Sequence, residues 1–167
     1  MIMLHLTHKK LEPDAELARP LSASEGYLFL GLPEEALGEL DRVDSEHRNS
    51  ASVLRMRIRA LLHMRRWEEA ESLSREGHAV YPDEEEFTVQ RVFALDQLNQ
   101  GGQAVQVLLA APHWLRRTGI LHYNLACYEA RLGDLAKARQ CIRAAIQINS
   151  SFKKNARNDP DLQRLWN

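Results

Sequence analysis

Four alanines stand at one interval along the chain: Ala36, Ala70, Ala104 and Ala138 are 34 residues apart (70−36, 104−70, 138−104), with no gap between them. They lie in "GLPEEAL", "RRWEEAE", "QGGQAVQ" and "GDLAKAR". A fixed period of this size belongs to chains built from stacked copies of one supersecondary unit. The same ruler aligns other columns. Four residues beyond each alanine stand Leu40, Ser74, Leu108 and Ile142, and seven beyond it Val43, Gly77, Ala111 and Ala145. Twelve before it lie Ser24, Ile58, Val92 and Ala126, and six before it Leu30, Met64, Leu98 and Leu132.

Within a unit the apolar residues recur at helical spacing. Leu125, Ala126, Leu132, Leu135, Ala138, Ile142, Ala145 and Ile146 suit two amphipathic helices. Gly133 supplies the left-handed geometry that ends the first, and Asp134 can cap the second. Pro33 fits a first helical turn, with Glu34 and Glu35 favourable beside the helix dipole. Alanine suits the repeated column because two helices of a tight hairpin approach closely only over a small side chain. A larger one overpacks the contact, at about 1–3 kcal/mol.

A 34-residue helix–turn–helix with these columns resembles the tetratricopeptide repeat family. "YNLACYEARLGDLAKARQCIRAAIQIN" carries the likeness best, at Leu125, Ala126, Gly133, Ala138, Ile142 and Ala145. Where the family pattern closes on proline this unit has Ser150, whereas Pro82 keeps that proline in the second unit. The resemblance implies an all-α fold: a right-handed α-solenoid of four helix–turn–helix repeats with a short C-terminal capping helix. The units are expected at 17–50, 51–84, 85–118 and 119–150, after a mobile arm at 1–16 and before a closing segment at 151–167. Ile2, Leu4 and Leu6 alternate within the arm and leave a docked strand as the other reading. In the third unit Gly101, Gly102 and Pro112 predict a loose turn and a shortened second helix, with "PHWLRR" as an irregular connector. In "NDPDLQRLW", Asp159 reads as N-cap and Pro160 as first turn. Leu162, Leu165 and Trp166 then form an i, i+3, i+4 stripe that covers the last repeat, as solenoid ends require.

Composition narrows the chemistry. The chain has 167 residues, 44% hydrophobic, with 22 basic and 23 acidic side chains. That near-balance gives no electrostatic reason to expect nucleic acid. No run nears the roughly 18 apolar residues of a membrane span, and the apolar N-terminal residues precede the lysines, which argues against a signal peptide. Two cysteines, Cys127 and Cys141, make neither a disulfide framework nor a metal quartet, so a reducing cytoplasm is expected. His122 precedes Cys127 by five residues, about 500° around a helix, and is no partner for a nucleophile. Cys127 therefore reads as a packing or groove residue. "HLTH" in the arm lacks further ligands, and "NQGG" lacks the lysine of a phosphate loop. The expectation is a protein that is not an enzyme and needs no metal or cofactor.

One cluster stands out. From His47 to Trp67 there are six arginines and no acid: Arg48, Arg55, Arg57, Arg59, Arg65 and Arg66. Arg55, Arg59, His63 and Arg66 share one helical face. In the family, first helices line a concave groove through their second, fifth, ninth, twelfth and thirteenth residues. That rule implies groove positions for Arg55, Arg59 and His63, for Val89, Phe93 and Gln97, and for Tyr123, Cys127 and Arg131, with Leu21, Glu25 and Phe29 from the first unit. Asn124 takes a sixth place used in the family's carboxylate clamps, although Ser52, Glu86 and Ile120 at the second places leave that clamp incomplete. The implied function is a protein–protein interaction module that holds a peptide or helix with acidic and apolar residues. The other reading of the arginines is a solvated face, or pairing with Glu25 or Glu86. Further alternatives are a homo-oligomer joined through Trp114 and Leu115, or a secretion-chaperone-like holder of a partner protein.

Overall fold

The computed structural model describes residues 15–166. The expected arm, with Ile2, Leu4, Leu6 and the His5/His8 pair, lies outside the described residues apart from its last two positions. All regular structure among the described residues is helical. The helices are α1 (Ala15–Phe29), α2 (Pro33–Asp41), α3 (Ala51–His63), α4 (Trp67–Val80), α5 (Glu85–Gln97), α6 (Gly101–Leu109), α7 (Gly119–Leu132), α8 (Leu135–Ile148) and α9 (Phe152–Asn158). Two 3-10 turns span Leu115–Arg117 and Pro160–Leu165. The starts of α2, α4, α6 and α8 keep the 34-residue interval (67−33, 101−67, 135−101). The described residues form two compact units that divide between Leu98 and Asn99.

In the unit of residues 15–98, α1 packs on α2, α3 on α4 and α4 on α5. Ala36 and Ala70 are fully buried, as close helix approach demands. Polar members of the apolar columns are satisfied at the same crossings. Ser24 Oγ donates to the Ala36 carbonyl at 2.9 Å, and Ser74 Oγ to the Ala70 carbonyl at 2.6 Å. Both hydroxyls are therefore buried at little net cost. Gly77 is the smallest member of its column for a reason. A Cβ there would lie 2.6 Å from Cδ1 and 2.9 Å from Cζ of Phe87, a fully buried ring in the cluster of Leu54, Ile58, Leu61, Ala70 and Ala94.

The turn between first and second helices also repeats. Positive φ occurs at Gly31 (73°), Arg65 (58°), Asn99 (57°) and Gly133 (93°), again 34 residues apart (65−31, 99−65, 133−99). Only glycine adopts this region without a Cβ penalty. Arg65 is exposed and carries that penalty, so Arg65→Gly is expected to stabilise the protein by about 1 kcal/mol. An unchanged or lowered urea midpoint would contradict this. The column at Leu30, Met64, Leu98 and Leu132 marks the same turns rather than the core. Leu30 is 68% exposed and Leu132 56%.

In the unit of residues 99–166, α6 and α8 both pack on α7. Ala104 and Ala138 are fully buried. Thr118 caps α7 by accepting from Leu121 N at 3.4 Å, and Asp134 caps α8 by accepting from Lys137 N at 3.0 Å. The irregular connector is present after α6. It buries Leu115 completely and leaves Trp114 40% exposed, so the paired Trp114–Leu115 surface expected for self-association is not formed. The closing segment is split. Helix α9 stops at Asn158, Asp159 accepts from Asp161 N at 3.0 Å as a cap, and Pro160 opens a 3-10 turn. Leu162 and Leu165 are buried, but Trp166 is 44% exposed and donates its indole N–H to the Ala156 carbonyl at 3.1 Å. Among the described residues no helix is long and apolar enough to cross a membrane.

Candidate functional site

Helices α3 and α5 lie side by side and carry six of the thirteen residues expected in a groove. Arg55 is engaged. Its guanidinium pairs with Glu84, and its Nε lies 3.5 Å from Glu86 Oε2. Gln90 Nε2 ties this pair to the backbone by donating to the Arg55 carbonyl and to Glu86 Oε1, each at 3.2 Å. Two acids of "DEEE" (83–86) thus neutralise Arg55. Arg57 points the other way, donating to Asp41 Oδ1 at 2.7 Å and to the Leu40 carbonyl at 2.9 Å, and so joins α3 to α2. Arg66 pairs with Glu69 within its own turn at 2.5 Å.

Arg59 is held more loosely. Its nearest carboxylate oxygen, on Glu25, is 3.6 Å away, and the two side chains are 36% and 66% exposed. An exposed pair of this kind is worth about 0–1 kcal/mol and exchanges readily. His63, one turn further on, is exposed. Val89 and Phe93 are half-buried on α5, with Phe93 edge-on to Trp67 (centroids 6.1 Å apart, planes at 71°). Gln97 is exposed.

The face expected from α7 is different in kind. Tyr123, Asn124 and Cys127 are buried, not open as an aromatic floor. The chain itself covers the fifth and ninth places of α7. Tyr123 Oη donates to Asp159 Oδ2 at 2.8 Å, Cys127 Sγ lies 3.8 Å from the same oxygen, and the Phe152 ring sits 5.4 Å from that of Tyr123. Leu162 and Leu165 join Ala126, Ala130, Ala138 and Ile142 in one cluster. Arg139 Nη1 donates to the Leu165 carbonyl at 2.6 Å. Arg131 is exposed, with its guanidinium 5.6 Å over the Tyr128 ring. Asp159 was the contact that sequence reasoning missed. The frame held a signal for it, since 119+34 places a further first helix at 153, where α9 runs.

These surroundings set the chemistry of the cysteines. Burial, reinforced by the Asp159 charge, pushes the Cys127 thiol well above the usual thiol range. Burial raises Cys141 as well. Burial and the hydrogen bond to Asp159 likewise hold the Tyr123 hydroxyl protonated. A thiol in such surroundings is a poor nucleophile at neutral pH. Cys127, Asp159 and Asp161 bring ligand-type atoms within 4.8 Å of one another. Both Asp159 oxygens already accept hydrogen bonds from the chain, from Tyr123 and from the Asp161 amide, so the cluster is accounted for structurally.

Residues 119–152 match the family described as Tetratricopeptide repeat. No curated protein sequence matches the chain. Among solved structures it is similar to MamA 41-end from Desulfovibrio magneticus RS-1, with a TM-score of 0.71 and 19% identity over 92% of this chain and 90% of that one. It is also similar to the MamA RS-1 ArsTM double mutant, with a TM-score of 0.71 and 18% identity over 92% of this chain and 96% of that one. At such identities the likeness is one of fold. The packed helix pairs, the buried alanine column and the family match converge on an all-α helical-repeat fold whose residues 119–152 match the tetratricopeptide repeat.

Proposed function

We propose that the protein is an interaction module whose α3–α5 face binds a segment of another protein carrying acidic and apolar residues. The observation that carries this reading is the state of Arg59. Arg55 is already saturated by two glutamates, whereas Arg59 has only the Met56 sulfur at 4.0 Å and the exposed carboxylate of Glu25 at 3.6 Å. A partner carboxylate can displace Glu25 and gain a charge-assisted hydrogen bond without leaving a buried charge unpaired. Val89 and Phe93 are half-buried, Phe93 edge-on to Trp67, and offer apolar surface for an anchor on the same segment. Gln97 and His63 complete the polar rim.

Arg59→Glu combined with His63→Glu tests this without disturbing the Arg55 cluster. The double variant is expected to lose the proteins that the wild type retains from native lysate, with helix content and melting unchanged. Retention of the same proteins by both chains would refute the assignment. Arg55→Glu is the wrong probe, because it sets a third carboxylate against Glu84 and Glu86 and perturbs α3–α5 packing whatever binds there.

A further inference from the structure

The segment Asp159–Trp166 is folded against α7 and α8 as a bound peptide would be. Helix α9 begins where a further first helix is due, but Pro160 has no amide hydrogen and cannot continue it. The chain then turns, and the 3-10 segment Pro160–Leu165 packs chiefly on α7. It is held by one carboxylate on the Tyr123 hydroxyl, two buried leucines and one backbone carbonyl on Arg139, and on the α9 side by Gln163 Nε2 on the Arg157 carbonyl at 3.0 Å and the Trp166 indole on the Ala156 carbonyl at 3.1 Å. This combination, a polar fix at one end and apolar anchors at regular spacing, is how helical grooves read peptides.

We propose that this face of α7 and α8 is a docking site that the chain keeps filled with its own segment, and that its exchange occupant is a partner-protein segment of the same chemistry: a carboxylate followed three and six residues later by leucine-like side chains (162−159, 165−159). The proposal rests on the reading of inner helix faces as binding surfaces but uses residues distinct from Arg59 and His63, so either can fail alone. Exchange is feasible because the displaced leucines are replaced in kind, and the Tyr123 hydroxyl and Arg139 keep a carboxylate and a carbonyl to bind. A segment lacking the carboxylate would leave the buried Tyr123 hydroxyl without its acceptor, which is the basis of selectivity.

The test uses the full chain and a fluorescein-labelled synthetic peptide, NDPDLQRLW, equal in sequence to residues 158–166. Leu162→Ala with Leu165→Ala should open the face while the helices persist. The peptide is expected to bind this variant at least about tenfold more tightly than it binds the wild type. A peptide with alanine in place of its first aspartate and both leucines should not bind. In a Cys141→Ser background the same variant should expose Cys127, with alkylation at least about tenfold faster, and the peptide should restore protection. A variant that keeps wild-type helix content yet does not bind the peptide overturns the proposal. Loss of helix content in the double variant also overturns it, since the segment is then an inseparable part of the core. Asp159→Asn, which keeps the packing but weakens the acceptor of the Tyr123 hydroxyl, gives an independent check. It should raise binding of the labelled peptide above the wild-type level with unchanged circular dichroism, and an unchanged affinity counts against exchange. A wild type that is dimeric by light scattering and becomes monomeric in the leucine variant would make the occupant a second copy, and would overturn a foreign partner.

Discussion

Phe87→Ala is expected to destabilise the unit of residues 15–98 by about 3–5 kcal/mol, read as a lower urea midpoint of its helical signal. The ring is fully buried where three elements meet. It fills the cluster of Leu54, Ile58, Leu61, Ala70 and Ala94, and it stacks on Tyr81 with centroids 6.2 Å apart and planes at 20°. Tyr81 is itself anchored, its hydroxyl donating to the Asn49 carbonyl at 3.0 Å. Truncation leaves a cavity that rigid helices cannot collapse to fill. The reciprocal change is Gly77→Ala. Helix propensity favours alanine by about 1 kcal/mol, but overpacking against the ring costs about 1–3 kcal/mol, and the ring has packed neighbours on every side. A net loss is therefore expected. Combined with Phe87→Leu, which withdraws the offending ring atoms, Gly77→Ala should cost less than the sum of the two single changes. A Gly77→Ala protein as stable as wild type would show that the ring has room to move.

Ala138→Leu should cost the unit of residues 99–166 about 1–3 kcal/mol, while Ala136→Leu, two residues away on an exposed face of α8, should change stability little. Ala138 is completely buried among Ala126, Ala130, Ile142 and Leu162, where α7 and α8 cross. Three added carbons there must either push the helices apart or force a neighbour off its rotamer. Ala36, Ala70 and Ala104 are equally buried, and leucine at each should do the same. If the four positions responded no differently from Ala136, the close crossing would not be what the alanine column is for.

The legible part of this protein was the part encoded locally. Small side chains at equal spacing marked the crossings of α1 with α2, α3 with α4 and α7 with α8, because a helix pair has one closest point and only a small residue fits it. Gly133 and Asp134 announced their turn, since each acts on backbone groups within a few residues. The equivalent turn at Arg65 went unread because arginine carries no such signal. It adopts positive φ in the tight turn that joins α3 to α4, which pack on each other. Asp159 and Pro160 marked the end of α9 and the start of the next turn, although the single closing helix became a helix and a 3-10 segment.

The candidate surface was decided elsewhere. Arg55, Arg59 and Glu86 could all be named from the sequence, but whether a charge is open or neutralised depends on which side chains the fold sets within a few ångströms. Glu84 and Glu86 reach Arg55 from about one repeat away, whereas Glu25 reaches Arg59 only to 3.6 Å. Tyr123 and Cys127 occupy groove places by the repeat frame, yet Asp159, Leu162 and Leu165 cover them. Amino-acid sequence alone determined the helices, their period and their crossings, because those follow from side-chain volume and backbone geometry within a single unit. Tertiary structure alone decided which faces stay open, because burial and ion pairing belong to the surroundings a residue is folded into.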